Sequence, residues 1–158
     1  MKYLLTLVLS VALLLSACGE STFYSHSMML EDGIWSHGDT FENEFTVTDT
    51  AARFDLVLDI VHRRNYPFQN IYMNIHTHFP ADTQVTDLLS IDLADRAGNW
   101  HGNCRGEECD LRVYLQQNVG FKDPGTYRVD FDQYTRREDL RGISSFTFKI
   151  LPREISGQ

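Results

Sequence analysis

Cys104 and Cys109 flank Arg105-Gly106-Glu107-Glu108. Four intervening residues differ from the two that usually separate a redox pair, and a redox thiol also needs a helix N-terminus or a cation to lower its pKa. Zinc would require two further ligands, and the nearby His101 supplies one. His76 and His78 stand two apart, so on a strand both rings leave the same face. That pair becomes a metal site only with a third ligand and a supporting shell. Solvent-facing strands often carry histidine without a metal, so no metal and no other cofactor is expected. His62, ahead of Arg63-Arg64, reads as a loop-edge residue. Glu42, Glu44, Asp55 and Asp59 offer carboxylates, but a glycosidase pair needs one of them protonated in a cleft. Alternation places all four on exposed strand faces as solvated charge. There is no G-x-S-x-G, no P-loop and no dinucleotide fingerprint. No catalytic residue is expected, and a carboxylate hydrolase ranks behind two binding readings. Tyr66, Phe68 and Tyr72 surround Pro67 and Asn70. Aromatics on a rigid turn can stack on a sugar or anchor a protein partner, or fold back to cap a core.

The elements that position these residues repeat with a period of two. Phe41, Phe45 and Val47 alternate with Glu42, Glu44 and Thr46, and Phe54, Leu56, Leu58 and Ile60 with their polar neighbours. Ile71, Met73 and Ile75 share one face, opposite Tyr72, Asn74, His76 and His78. Leu89 to Leu93, Leu111 to Leu115, Tyr127 to Phe131 and Phe146 to Ile150 continue the series. Period two is the strand signature, one face buried and the other wet. Turn signals at Asn65-Tyr66-Pro67, Phe79 to Asp82, Asp95 to Gly98 and Asp123-Pro124-Gly125 separate the runs. The expected fold is all-β: an antiparallel, jelly-roll-like sandwich of about seven to eight strands. Thr135 and Glu138 have capping-box spacing, with Leu140 inward and Gly142 as the stop, which predicts one short helical crossover before the last strand.

The chain has 158 residues and a formal net charge of −8, with 42% hydrophobic and 12% aromatic residues. That supports one packed domain and argues against a nucleic-acid partner, which needs a basic face. At the N-terminus Lys2 precedes an apolar run from Leu4 to Leu15, 12 residues long. A membrane-spanning helix needs about 20, so the run reads as a secretion signal. Leu15-Ser16-Ala17-Cys18 resembles the lipobox of bacterial lipoproteins, in which the cysteine is acylated and becomes the first residue. The expected layout is a signal peptide over 1–17, a tether over 18–30, a single sandwich over 31–155 and a tail over 156–158. Removing 17 residues from 158, Lys2 among them, leaves 141 with a net charge of −9. Cys18 is then the lipid anchor, since two or three acyl chains hold a protein at a membrane almost permanently. Gly19 in place of an aspartate favours the outer membrane. With Cys18 assigned to lipid and the domain in an oxidising envelope, Cys104 and Cys109 are expected to form a structural disulfide.

Several stretches in order carry a family resemblance: His62-Arg63-Arg64-Asn65-Tyr66-Pro67-Phe68-Gln69-Asn70-Ile71; Leu93-Ala94-Asp95 with Gly98, Trp100 and Gly102; Pro124-Gly125-Thr126-Tyr127; and Gln133-Tyr134-Thr135-Arg136 with Leu140, Gly142 and Ile143. Together they resemble the gliding-motility lipoprotein GldH family of Bacteroidota, from about Trp35 to Ile150. The Cys104–Cys109 pair stands outside that pattern. The resemblance implies a non-enzymatic, membrane-anchored accessory component of the gliding and neighbouring secretion machinery, with envelope proteins as partners. The expected contact residues are Tyr66, Phe68 and Arg136. The alternative is a glycan-binding envelope lipoprotein that uses the aromatics between Tyr66 and Tyr72.

Overall fold

A computed structural model describes residues 20–153. Eleven strands follow in order: β1 (Tyr24–Met29), β2 (Ile34–Ser36), β3 (Phe41–Val47), β4 (Phe54–Arg63), β5 (Asn70–His78), β6 (Gln84–Asp92), β7 (Asn103–Arg105), β8 (Glu108–Val119), β9 (Gly125–Gln133), β10 (Asp139–Arg141) and β11 (Ile143–Pro152). They form a five-stranded sheet in the order β1-β11-β4-β8-β7, a four-stranded sheet in the order β3-β9-β5-β6, and a two-stranded ribbon of β10 and β2. Every pairing is antiparallel. The fold is the expected all-β sandwich.

Alternation explains which face each strand buries. In β3, Phe41, Asn43, Phe45 and Val47 point inward while Glu42, Glu44 and Thr46 are exposed. Against them pack Tyr127, Val129 and Phe131 of β9 and Phe146, Phe148 and Ile150 of β11. The Phe41 and Phe131 rings stack at 5.7 Å, and the Phe45 and Tyr127 rings at 5.9 Å. Burying each such ring contributes about 1.5–3 kcal/mol. Asn43 is the polar intruder, fully buried, and its amide nitrogen donates to the carbonyls of Phe41 at 3.0 Å and Val129 at 3.1 Å. A buried amide without such acceptors would cost several kcal/mol.

Two sequence expectations meet corrections here. The stretch over 18–30 read as a tether holds β1, registered on β11 from Tyr24 opposite Ile150 to Met29 opposite Ser145. The predicted helix between β9 and β11 is strand β10, which pairs Leu140 with Trp35 and Asp139 with Ser36. Thr135 does not cap a helix there. Its hydroxyl meets the Gln133 side-chain carbonyl and accepts from the Arg137 N–H at 3.3 Å, closing a local turn. Pairing with β2 and burial of Leu140, 1% exposed, outweigh the local capping signal. The only helical element among the described residues is a single 3₁₀ turn, Glu31–Gly33. The ribbon of β2 and β10 lies over one end of the core, with fully buried Trp35 against Phe146 at 4.6 Å. Gln133 ties it down by donating to the backbone carbonyls of Trp35 and Glu138.

Candidate functional site

At that same end the loop from β4 to β5, the first turns of β5 and the loop from β9 to β10 enclose an open groove of about 710 Å³. Tyr66 and Leu140 form its floor, 4% and 1% exposed. Its walls are Phe68, Tyr72, Leu88 and Tyr134, the last three 41%, 59% and 56% exposed. Arg136 and Arg137 stand at the rim. Tyr66 is held by its hydroxyl, which donates to the Asn70 carbonyl at 3.1 Å, and by an edge-to-face contact with Phe68 at 5.7 Å. Burial pushes the Tyr66 phenol well above its ordinary pKa, so it remains a protonated donor. The Arg137 guanidinium lies 5.6 Å over the Phe68 ring, a cation–π contact that fixes both. Tyr134 is seated by its N–H, which donates to the Tyr72 carbonyl at 3.0 Å.

Tyr66, Phe68 and Arg136 therefore meet in one groove, as three residues from two distant loops. Their roles differ. Tyr66 shapes the floor from beneath, Phe68 is half-buried, and Arg136 lies in an exposed loop and not on a helix. Leu88, Tyr134 and Arg137 were missed in the sequence. The Leu88-Leu89 doublet, which breaks alternation on β6, is the one signal that pointed to an exposed apolar residue. No carboxylate and no nucleophile–base pair lines the groove. Its chemistry is apolar anchoring beneath a cationic rim.

Elsewhere the candidate residues take structural places. Cys104 and Cys109 are directly paired across β7 and β8 and joined in a disulfide, with Cα atoms 3.9 Å apart. His76 and His78 leave the outer face of the four-stranded sheet, each against an aspartate of β9: His76 to Asp132 at 2.8 Å and His78 to Asp130 at 3.1 Å. Among the described residues no three His, Cys, Asp or Glu side chains converge in a geometry for a metal. His62 is not at a loop edge. It is buried in β4, its Nδ1 is 3.1 Å from the Arg63 carbonyl, and its ring packs 4.7 Å from Trp100. Burial lowers its pKa below the ordinary histidine value. Glu42 and Glu44 are exposed, but Asp55 and Asp59 are not free carboxylates. Asp55 pairs with Arg153 at 3.2 Å, and Asp59 with Arg112 at 2.7 Å and Lys149 at 2.8 Å. Burial pushes the Asp59 carboxyl up, and the hydrogen bonds from Arg112 and Lys149 overcome it to leave the pKa lowered. Cys18 and the tail over 156–158 lie outside the described residues. No helix among those described is long and apolar enough to cross a membrane.

A second, apolar concavity of about 660 Å³ opens between the unpaired edges of β6 and β8, reaching Leu56, Ile75, Leu115 and Phe148.

Comparison with known proteins gives the chain a family. It is 25% identical over 146 residues to the gliding motility lipoprotein GldH homolog of Christiangramia forsetii, covering 87% of this chain and 88% of that one. It is 24% identical over 151 residues to the gliding motility lipoprotein GldH of Flavobacterium johnsoniae, covering 91% and 93%. Among solved structures, dimeric latent PorU from Porphyromonas gingivalis aligns with 86% of this chain and 13% of its own, at 14% identity and a TM-score of 0.34. The sequence profile of GldH lipoproteins matches residues 22–150, which takes in both walls of the groove and ten of the eleven strands entire, with β11 up to Ile150. The chain belongs to the GldH lipoprotein family.

Proposed function

We propose that this protein is a non-enzymatic accessory component of gliding-motility machinery, anchored through an acylated Cys18, which docks an envelope protein in the aromatic groove. The observation that carries the reading is the groove itself. Exposed Tyr72, Leu88 and Tyr134 stand over a rigid aromatic floor beside two arginines, in a chain of net charge −8. Aromatic and arginine side chains are enriched among the dominant contacts of protein interfaces, the aromatics because they bury large area at small entropic cost. The cationic rim selects a partner segment that carries an apolar anchor flanked by acidic residues. Gly19 after Cys18 supports placement in the outer membrane.

A glycan would use the same aromatics. Asn70, Thr135 and the hydroxyls of Tyr72 and Tyr134 could meet sugar hydroxyls, but the exposed apolar Leu88 in the wall has no such use and favours the protein partner. The test is complementation of a gliding host that lacks its own copy. The unaltered chain should restore spreading, and Leu88→Asp with Tyr134→Asp should not, although acylated and folded. Loss of function on replacing the exposed Glu42 alone would indicate catalysis and end the reading. Tight binding of a purified envelope glycan, lost in the groove variant, would replace it with the carbohydrate reading.

A further inference from the structure

The first described residue is held down. The Glu20 carboxylate receives Nη1 of Arg112 at 2.6 Å, Nη2 of Arg112 at 3.0 Å and Nζ of Lys149 at 3.3 Å. Arg112 lies on β8 and Lys149 on β11, and between them Asp59 of β4 accepts from Arg112 at 2.7 and 2.9 Å and pairs with Lys149 at 2.8 Å. Two carboxylates and two cations thus close a network across three strands, on the outer face of the five-stranded sheet. All four members are partly shielded, from 15% exposed at Asp59 to 39% at Glu20. Networks of this kind hold geometry better than isolated surface pairs. Only Gly19 separates Glu20 from Cys18. Two residue steps span at most about 7 Å.

We infer that the outer face of the five-stranded sheet lies against the bilayer that holds the Cys18 lipid, with the Glu20–Arg112–Lys149–Asp59 network as the clamp that sets this orientation. The inference rests on acylation of Cys18. Without the clamp, the four residues Gly19 to Thr22 would link Cys18 to Phe23, whose N–H donates to the Ile150 carbonyl at 2.8 Å, a reach of roughly 11 Å. The clamp reduces that tether to one glycine.

The composition of the face fits a lipid surface. Tyr114, 49% exposed, shares a cross-strand row with Val57 and Lys149, and Met29, 76% exposed, faces outward opposite Ser145. Ser25, Ser27 and Thr147 add small hydroxyls to the same face. Tyr114 is suited to the headgroup level of a bilayer, and Arg112 and Lys149 are neutralised there by Glu20 and Asp59, so the network brings no net charge to that surface. The groove walls Tyr72 and Leu88 stand on the outer face of the other sheet, a sheet spacing of about 10 Å further out. Clamping one face to the membrane therefore presents the groove away from it.

The test uses acylated protein in phosphatidylethanolamine vesicles that contain a lipid with a nitroxide headgroup. Fluorophores are attached through Tyr114→Cys, Met29→Cys, Tyr72→Cys and Leu88→Cys, one per protein, with the Cys104–Cys109 bridge left oxidised and inert to the label. Fluorophores at positions 114 and 29 should be quenched severalfold more than those at 72 and 88. Glu20→Ala, which leaves the Asp59 pairs intact, should bring the four toward equality. Equal quenching in the unaltered, acylated protein would overturn the orientation, and an unchanged pattern in Glu20→Ala would overturn the clamp. Mass analysis of the N-terminal peptide separates the premise: an unacylated Cys18 removes the anchor itself, whereas acylation with equal quenching leaves the anchor standing and removes the orientation alone.

Discussion

Replacing Tyr66 by alanine separates its structural work from any contact it makes with a partner. Its ring is 4% exposed and lies 5.7 Å from Phe68, 6.0 Å from His62 and 6.5 Å from Trp100. Truncating an aromatic in such a site removes its transfer free energy and leaves a cavity, together about 3–5 kcal/mol. The hydroxyl is a separable part. Tyr66→Phe leaves the Asn70 carbonyl without that donor and should cost about 1 kcal/mol. Small domains are stable by roughly 5–15 kcal/mol, so Tyr66→Ala forfeits a large share and Tyr66→Phe does not. Urea unfolding followed by tryptophan fluorescence suits the question, because Trp100 neighbours the site and Trp35 reports the core end beneath the ribbon. A loss below about 0.5 kcal/mol for Tyr66→Ala would refute the packing argument, since that is the range of surface substitutions. The prediction also fixes how binding data are read: failure of Tyr66→Ala to recover a partner reports unfolding, and the docking role must be probed at Leu88, Tyr134 and Tyr72.

Acid should destabilise the fold through His62. Its folded pKa is lowered by burial, so the unfolded chain takes up the proton first, and stability present above about pH 6.5 is lost as pH falls through the window below it. Urea unfolding of His62→Gln, which does not titrate, should show a shallower decline between pH 7 and 5; parallel declines would contradict this. Cys104→Ser with Cys109→Ser should lower stability by about 2 kcal/mol, on the chain-entropy estimate for so short a loop, and leave the fold intact. Non-reducing peptide mass analysis of alkylated native protein should find the two joined, and free thiols would contradict it. Gly102→Ala should destabilise strongly, by about 2 kcal/mol or more, because φ there is +78° and a Cβ would fall 2.2 Å from the Asp110 carbonyl oxygen. Thermal unfolding close to that of the unaltered protein would show that the two segments can separate at little cost.

Strands with strict alternation over seven or more residues, such as β3 and β9, were legible because their inward residues are large and their outward ones charged. β1 was not, since Tyr24, His26 and Met28 alternate with Ser25, Ser27 and Met29, a contrast too weak to read as a period. The three-residue strands β2, β7 and β10 are too short for a period of two to repeat, and β10 formed where a capping signal pointed to helix. The glycines in the family pattern acquire reasons only in three dimensions. Gly102 lies against the β8 backbone, and Gly142, at φ +100°, against Tyr66. Half of the groove was visible at Tyr66 and Phe68, while Leu88 joins it only through the pairing of β6 with β5. The clamp was hidden for the same reason: Asp59 reads as solvated charge until a cation 53 residues away is folded onto it.

The central claim is that the aromatic groove is where this lipoprotein meets an envelope protein. Site-specific photo-crosslinking in living cells tests it most directly, with a photoreactive residue placed at Leu88 or Tyr134 and, as a control, at exposed Thr46 on β3, outside the groove. The account predicts a discrete adduct with an envelope protein from positions 88 and 134 and none from position 46. Positions 88 and 134 capturing no more than position 46 does, in cells where the protein is acylated and functional, would contradict it.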